Sequence, residues 1–322
     1  MSAPSLIRSV DGRRVSVARD AVAVARVLAD DPVACCMVAA RVADHGVDPA
    51  VIGGELWTRR RVEESLCYAG PNLIPLRGAP ADLRAFAEQA LSTPRRCSSL
   101  VGPADLVLPM WERLEQGWGP ARDVRNRQPL MALHSRPRCA PDPAVRRVRV
   151  DELDAYLVAA VDMFIGEVGV DPRAGDGGRG YRRRVATLIA AGRAFARFDN
   201  GRVVFKAEIG SQSPSVGQIQ GVWVHPEWRG RGLGTAGTAA VAAGASPAFT
   251  STTTTSWPGP PTRGWASARS VLSPPCFWTE PAQLHGAPPR HQGDRLITFA
   301  PMATSTSVVT RIAGLILAAV TA

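Results

Sequence analysis

The pattern of apolar and polar positions changes twice along the chain, and it predicts two α/β domains followed by a tail. In residues 1–135, stretches with helical spacing alternate with short extended runs. The helical stretches are residues 20–31, 32–44, 81–91 and 103–116, and the extended runs are residues 65–76, 97–101 and 128–133. The run at residues 128–133 is expected to close the sheet of this first domain.

Residues 136–144 are rich in proline and are expected to form a linker to a second domain, which covers residues 145–243. In the second domain the pattern predicts a strand, two helices, a hairpin, a strand and a helix. These elements are residues 145–150, 151–164, 181–191, 193–198 with 202–209, 217–224 and 235–243. Asp199-Asn200-Gly201 is a strong hairpin signal. The glycine- and aspartate-rich residues 165–180 are expected to form a loop between the two helices.

One strand of the second domain runs directly into a loop of alternating glycines. Pro226 cannot donate to a strand ladder and is expected to end the strand. The loop that follows, Arg229-Gly-Arg-Gly-Leu-Gly234, lacks side-chain bulk at every second position, so several backbone N–H groups can turn toward one point. The N-terminus of the next helix faces the same point and adds the positive end of its dipole. The stretch therefore predicts an anion site. Its glycine spacing differs from those of the P-loop and the dinucleotide fingerprint.

This stretch resembles motif A of the GNAT (GCN5-related) N-acetyltransferases, with Arg229, Gly232 and Gly234 at the family's Arg/Gln-x-x-Gly-x-Gly/Ala positions. The resemblance covers about residues 145–243. It implies an α/β (α+β) fold with a mixed sheet and flanking helices, acetyl-CoA as co-substrate, and acetyl transfer to an amine. The implied CoA-binding residues are Val222, Trp223, Val224, Arg229, Gly230, Arg231, Gly232, Leu233, Gly234 and Thr235. Residues 1–135 resemble a domain of unknown function that precedes the acetyltransferase domain in some bacterial GNAT proteins, and their α/β alternation permits a degenerate acetyltransferase-like fold.

The family's mechanism also needs a base for the amine and a proton donor for the departing thiolate. The position that carries glutamate in histone-type members is Gln218, whose amide cannot accept the proton. Glu167, in the expected loop, and Glu208, on the hairpin, are therefore the candidate bases. Asp171 and a water relay are alternatives. The donor is usually a tyrosine beyond the next strand, and no tyrosine follows Tyr181 in the chain.

The net charge of +10 comes almost entirely from arginine, since Lys206 is the only lysine. The arginines are scattered and form no basic stripe, so we expect a solvated surface and no nucleic-acid partner. The six cysteines and five histidines show neither metal-ligand spacing nor a disulfide framework. No apolar leader opens the chain, which predicts a cytoplasmic protein without a membrane partner. The expected partner is an amine acceptor, either a small molecule or a protein.

From Gly244 onward the periodicity is lost, and residues 244–322 are expected to be a disordered tail. The tail can be read as coding DNA in a shifted frame. Taking the third base of one codon with the first two of the next, Trp257-Pro258 must give alanine and Pro261-Thr262 can give tyrosine, while Thr279-Glu280 can give a stop. These residues match the helix and strand that close the GNAT fold. A frameshift between Ala243 and Phe249 is therefore one hypothesis, with impaired activity as its consequence, and a genuine disordered tail is the other.

Two further function classes are compatible with the sequence. A non-catalytic acyl-CoA-binding or regulatory module would bind CoA without turnover. An arginine-rich nucleic-acid binder would show an affinity that falls steeply with salt.

Overall fold

A computed structural model of the chain describes residues 14–128, 130–133, 135–174, 176–244, 250–254 and 294–299. These residues form a seven-stranded sheet and a six-stranded sheet, each with helices packed against it. The mixed α/β architecture that the sequence predicts is confirmed.

The seven-stranded sheet belongs mainly to the N-terminal half of the chain. Its strands are β1 (Ser16–Val17), β2 (Glu55–Thr58), β3 (Leu66–Ala69), β4 (Asn72–Arg77), β5 (Ser99–Pro103), β6 (Ala121–Gln128) and β13 (Asp294–Phe299), in the spatial order β1-β2-β3-β4-β5-β13-β6. The helices of this half are α1 (Ala21–Asp30), α2 (Cys36–His45), α3 (Pro49–Ile52), α4 (Pro80–Leu91) and α5 (Ala104–Trp118).

Two apolar cores stabilise this half. Helices α4 and α5 contribute Phe86, Met110 and Leu114 to one core, while α1 and α2 contribute Val24 and Val38 to the other. The start of α1 shows how the sequence specifies these elements. The Asp20 carboxylate accepts the backbone N–H groups of Val22 and Ala23, each at 3.0 Å, and so caps the helix.

The six-stranded sheet contains the site and lies mainly in the C-terminal half. Its strands are β7 (Leu130–Leu133), β8 (Arg146–Arg147), β9 (Ala194–Asp199), β10 (Arg202–Gln212), β11 (Val216–Val224) and β12 (Thr250–Thr254), in the order β7-β12-β11-β10-β9-β8. Helices α6 (Leu153–Val168) and α7 (Arg179–Ala190) contribute Tyr156, Tyr181 and Val185 to one core cluster. Helix α8 (Leu233–Gly244) contributes Val241 to the other cluster, which also contains Phe205 and Ile219 of the sheet.

The two halves have the same order of elements and the same strand directions. In the first half, β1, helices α1 and α2, the single-turn helix α3 and the antiparallel strands β2, β3 and β4 lead into α4 and then into β5, which is parallel to β4. Apart from α3, the second half repeats this order. In the second half, β8, α6, α7 and the antiparallel strands β9, β10 and β11 lead into α8 and then into β12, which is parallel to β11. The first domain is thus a second copy of the same arrangement, as the α/β alternation allows.

The expectation that residues 128–133 close the first sheet is wrong for Leu130–Leu133. This strand pairs with β12 in the second sheet, where Thr253 lies opposite Met131. The pattern of apolar residues identified a strand but could not identify its partner, because the partner lies more than a hundred residues away in the chain.

Two described strands, β12 and β13, lie within the tail for which the sequence predicted no regular structure. Strand β12 consists mainly of threonine, a β-branched residue that favours extended backbone, and it pairs with the open edge of β11. Strand β13 fits between β5 and β6. Residues 245–249, 255–293 and 300–322, which hold the tryptophan and proline junctions of the frameshift hypothesis, lie outside the described residues, so that hypothesis stays a prediction.

The proline-rich segment at residues 136–144 lies against the second domain at one point. Asp142 is buried, its backbone N–H donates to the carbonyl of Ala236 in α8 at 3.0 Å, and its carboxylate pairs with Arg197 in β9 at 2.8 Å. A second contact joins the two halves, since the Cys36 thiol in α2 donates to the carbonyl of Val216 in β11 at 3.4 Å. Within the described part of the chain, no helix has the length and apolarity needed to cross a membrane.

Candidate active site

The glycine loop between β11 and α8 has the backbone geometry that an anion site requires. Strand β11 ends at Val224, and residues Pro226–Trp228 form one turn of 3-10 helix before the loop. Gly230 and Gly232 have φ angles of +73° and +79°, in the left-handed region that glycine adopts without strain. Among the described residues, and apart from each glycine and its two neighbours in the chain, no atom lies within 4 Å of the position that a Cβ would occupy at either glycine. The described residues therefore leave the space over these two glycines open.

Helix α8 begins at the end of this loop and directs its N-terminus toward the open space. The first bond of the helix joins the Ala236 N–H to the Gly232 carbonyl at 3.0 Å. At the start of an α-helix the first backbone N–H groups have no acceptor within the helix, and together with the helix dipole they favour an anion. Arg229 and Arg231 are both exposed beside the loop. The Arg229 guanidinium is held in place, because its Nε donates to the Val224 carbonyl at 3.1 Å.

Gly237 brings α8 close to the sheet, and sequence reasoning did not single it out. A Cβ at this position would lie 2.6 Å from the ring of Phe205 in β10, closer than any side chain can approach. The small residues of α8 were the available signal, since a helix with so little bulk on one face can pack tightly against a strand. Gly237 therefore sets the distance between α8 and the sheet.

A β-bulge at Gly221 determines which way the side chains of β11 point. Lys206 lies opposite Trp223 and Glu208 lies opposite Gln220, so two residues of β11, Gly221 and Val222, face one residue of β10. Gly221 has a φ angle of +58°, which this kind of bulge requires. As a result, Trp223 packs with the α6 and α7 core, whereas Val222 and Val224 pack with the α8 core. The predicted CoA-binding residues of β11 are thus divided between the two faces of the sheet.

Glu208 lies in a buried cluster of polar side chains beneath α6 and α7, with only 2% of its surface exposed. Its carboxylate accepts from Arg184 Nη2 at 2.9 Å and from Gln220 Nε2 at 3.1 Å, and Lys206 Nζ is 3.6 Å away. Burial alone would raise the pKa of this carboxyl, but the charges of Arg184 and Lys206, together with the hydrogen bonds, outweigh burial and hold the pKa to about 2. Such a carboxylate is a weak base at neutral pH.

Lys206, the chain's only lysine, is fully buried in the same cluster. Its Nζ contacts Met163 Sδ at 3.2 Å and lies 5.3 Å from the centroid of the Tyr156 ring. Burial lowers the pKa of this amine, and the nearby Arg184 lowers it further, while Glu208 acts in the opposite direction. In the sequence Lys206 stands out only as the single lysine, because an isolated lysine in a strand gives no signal of burial.

Glu167 lies in the last turn of α6, so the expectation of a loop from residue 165 is wrong for residues 165–168. The helix continues past Gly166 and ends at Gly169, whose left-handed backbone donates its N–H to the Ile165 carbonyl at 2.8 Å. Glu167 is half-buried there. Asp171, the other carboxylate considered, pairs with Arg173 at 2.9 Å on the surface.

Both tyrosines of this domain are buried in its apolar core. Tyr156 donates its hydroxyl to the Ala207 carbonyl at 3.4 Å, and Tyr181 donates its hydroxyl to the Ala160 carbonyl at 3.0 Å. Burial raises the pKa of both phenols. The proton donor expected beyond the next strand falls at residues 261–262, outside the described residues.

We call the glycine loop and the start of α8, residues 229–235, the cradle. The equivalent helix of the first domain, α4, lacks such a cradle. The carboxylate of Asp82 in its first turn accepts the Ala79 N–H at 2.9 Å and pairs with Arg59 at 3.0 Å, so an anionic side chain already occupies the helix N-terminus. The two domains share an arrangement of elements, but among the described residues only the second keeps its helix start open to a ligand.

As for metals, the described residues contain no group of three potential ligands, and the expectation of no metal stays a prediction.

Comparison with known proteins agrees with this division. Residues 163–245 match the family model described as Acetyltransferase (GNAT) family, and residues 54–156 match a domain of unknown function, DUF4081. The chain carries a GNAT-family domain. The loop, the bulge and helix α8 all lie inside that GNAT domain, and the resemblances inferred for both halves of the sequence are confirmed. The DUF4081 match extends across the expected linker, so the domain boundaries proposed from the sequence stay predictions.

Solved structures resemble most of the chain at low sequence identity. A Drosophila protein from a structural genomics consortium is 12% identical with a TM-score of 0.52, and the match covers 88% of this chain and 98% of that protein. A GNAT-family acetyltransferase from Colwellia psychrerythraea is 10% identical with a TM-score of 0.49, covering 89% and 100%. A GCN5-related N-acetyltransferase from Kribbella flavida is 13% identical with a TM-score of 0.44, covering 82% and 96%. The first of these similarities shows a shared fold. No curated protein matches the chain.

Proposed function

We propose that the GNAT domain transfers an acetyl group from acetyl-CoA to an amine, and the observation that carries the proposal is the open cradle between β11 and α8. Two left-handed glycines and a helix N-terminus lie together, two exposed arginines belong to the same loop, and no described side chain fills the Cβ positions of the two glycines. CoA carries a pyrophosphate, which is an anion of the size and charge that such a cradle binds.

The edge of β11 supports a place for the rest of CoA. Strand β12 pairs with Val216–Ile219, the first part of β11, and no pairing of β12 with the later residues is present in the described chain. Beyond Ile219 this edge of β11 can therefore accept an extended ligand in place of a strand. The pantetheine arm has amide groups that can pair with the backbone of residues 222–224, and its thioester would then lie near the bulge at Gly221.

The reaction requires one bond exchange and two proton movements. The amine nitrogen bonds to the thioester carbonyl carbon, and the carbon–sulfur bond breaks. One proton leaves the nitrogen and one reaches the thiolate, so the products are an amide and the free thiol of CoA. Acetyl transfer is thus balanced without any further reactant.

The base for the amine is proposed to be Glu167 or a water molecule. Glu208 was the other candidate, but its carboxylate already accepts from two side chains and its pKa of about 2 leaves little affinity for a proton. We assign Glu208 to holding the side chain of Gln220. Glu167 is half-buried at the end of α6, on the side of the sheet where Gln220 and Trp223 lie.

A non-catalytic acyl-CoA-binding module is the second candidate, and the arrangement around Glu208 favours it. Among the described residues the family's glutamate position is an amide, Gln218, and the best-placed carboxylate in the core is engaged in an ion pair. Such a protein would use the same cradle and bind CoA, but it would not release the thiol faster in the presence of amines.

The acceptor is proposed to be a small-molecule or protein amine, with no nucleic acid or membrane as partner. A cytoplasmic location is part of the proposal, because acetyl-CoA is available there. If the frameshift hypothesis holds, the chain as given would transfer acetyl groups more slowly than the repaired protein.

The test combines a binding measurement with a turnover measurement on the full chain. Calorimetric titration measures the affinity of the cradle for CoA. The release of free thiol from acetyl-CoA in the presence of a panel of primary amines measures acetyl transfer. Binding together with amine-dependent thiol release supports the acetyltransferase. Binding without amine-dependent release, also in a protein with the shifted frame restored, supports the non-catalytic module. Failure to bind CoA overturns both.

A further inference from the structure

Trp228, in the 3-10 turn before the glycine loop, lies beside two guanidinium groups. The Cζ atom of Arg231 is 5.2 Å from the centroid of its indole ring, and the Cζ atom of Arg197 is 5.6 Å from the same centroid. Both distances are within the range of a cation–π contact, for which tryptophan is the best partner. The ring is partly buried and packs against the apolar core beneath α8, which restricts its movement.

The two guanidinium groups differ in their charge partners. Arg197 pairs with the carboxylate of the buried Asp142 at 2.8 Å. Arg231, which belongs to the glycine loop, is exposed and forms no ion pair with any carboxylate in the described part of the chain. The charge of Arg197 is therefore neutralised locally, whereas the charge of Arg231 remains available to a ligand.

Without the ring, an exposed arginine at this point would sample many rotamers. Ordering such a side chain when a ligand binds costs conformational entropy, and a side chain held in place beforehand avoids much of that cost. Asp142 strengthens the arrangement in a second way. By compensating Arg197 it reduces the repulsion between two cations that share one ring.

We infer that Trp228 is a positioning residue that holds the Arg231 guanidinium beside its ring for the ligand of the glycine loop, and that Arg197, paired with Asp142, helps to hold the same ring. The inference rests on the proposed binding of CoA. It assigns the Arg231 guanidinium to a contact with the anionic part of that ligand. It also gives the segment before the domain a role, because Asp142 joins α8 to this arrangement through its N–H bond to Ala236.

The experiment is a double-mutant cycle on CoA affinity, using the full chain with Trp228→Leu, Arg231→Gln and the double variant. An exposed cation–π contact corresponds to a change of about two- to five-fold in affinity, and we expect each single variant to bind CoA more weakly by about that factor. The double variant is expected to bind no more weakly than Arg231→Gln alone. Trp228→Phe, which keeps a ring, is expected to restore most of the affinity.

CoA affinities measured at high salt distinguish a positioning role of Trp228 from a purely structural one. In 1 M salt, charges beyond about 3 Å are screened, so the difference between wild type and Trp228→Leu should largely disappear if the ring acts through the charge of Arg231. The matched control is Phe198→Leu. Phe198 lies 4.9 Å from the Cζ atom of Arg146, whose guanidinium pairs with Glu152, so the control removes a similar contact on the same domain away from the loop.

Additive losses in the cycle, or a loss for Trp228→Leu that persists in 1 M salt, would overturn the inference while leaving CoA binding itself intact. Wild-type protein that binds no CoA would instead overturn the proposed function. If Trp228→Leu fails to fold, the comparison of Trp228→Phe with Arg231→Gln decides the inference, and a Trp228→Phe variant as weak as Arg231→Gln would contradict it.

Discussion

Arg184 on α7 donates to Glu208 on β10 across 2.9 Å inside the GNAT domain, and the two side chains are only 8% and 3% exposed. The pair joins a helix to the centre of the sheet at the level of the bulge on β11. Because Gln220 donates to the same carboxylate oxygen, the pair also fixes a side chain next to Gly221. A buried carboxylate that supports the strand thus lies where the sequence suggested a base.

Replacing Glu208 with glutamine is expected to destabilise the domain strongly. The substitution leaves Arg184 and Lys206 buried without a countercharge, and breaking a buried pair from one side costs about 3–5 kcal/mol of unfolding free energy. Urea unfolding followed by circular dichroism measures the loss. Asp154→Asn is the matched control, because it removes a carboxylate from an exposed pair with Arg182 and should leave the unfolding midpoint unchanged. Equal midpoints for Glu208→Gln and wild type would show that the pair is not a stabilising element.

The stability that Glu208 contributes should depend on acid pH. Its pKa falls from an ordinary value of 4.5 to about 2 in the folded protein, so the unfolded chain binds its proton first. The contribution is therefore complete above pH 4.5 and is lost as the pH falls toward 2, by up to about 1.4 kcal/mol for each pH unit.

Unfolding free energies of wild type and Glu208→Gln, measured from pH 6 down to the acid limit of folding, test this dependence. The difference between the two proteins should shrink as the pH falls below 4.5. A constant difference over that interval would contradict the depressed pKa.

Gly237 should tolerate no side chain. A Cβ would lie 2.6 Å from the Phe205 ring, so Gly237→Ala must push α8 away from the sheet, and overpacking of this kind costs about 1–3 kcal/mol. Because α8 carries one side of the cradle, CoA affinity should fall as well. Gly166→Ala in α6 is the control. Apart from the backbone of that helix and the neighbouring residues, no described atom lies within 4 Å of the Cβ position, and alanine is the better helix former by about 1 kcal/mol. Thermal melts that move in the same direction for both variants would refute this packing account.

The sequence was sufficient for the features that local chemistry specifies. The Asn200 and Gly201 turn, the end of β11 before Pro226, and the glycine loop follow from backbone preferences of the residues themselves. Helix α8 was expected from residue 235 and begins two residues earlier, at Leu233. All of these features depend on residues that are close together in the chain.

The sequence was insufficient where distant residues decide the outcome. Glu208 has the same local context as many exposed glutamates, and only the position of Arg184 on α7 makes it a buried ion pair. Gly237 has a packing role only because Phe205 lies opposite it. The partner of Leu130–Leu133 comes from the tail, and no pattern within a strand identifies a partner so remote in sequence.

The central claim is that the loop around Gly232 binds CoA, and calorimetric titration of CoA into wild type, Gly232→Val and Gly201→Val tests it most directly. Both glycines have nearly the same left-handed φ, +79° and +78°, and neither Cβ position meets a described atom beyond the adjacent residues, so the two variants introduce comparable backbone strain. Of these two glycines, Gly232 lies in the cradle and Gly201 lies in the turn between β9 and β10. We predict that wild type and Gly201→Val bind CoA and that Gly232→Val does not. Undiminished binding by Gly232→Val, or no binding by wild type, would contradict the account.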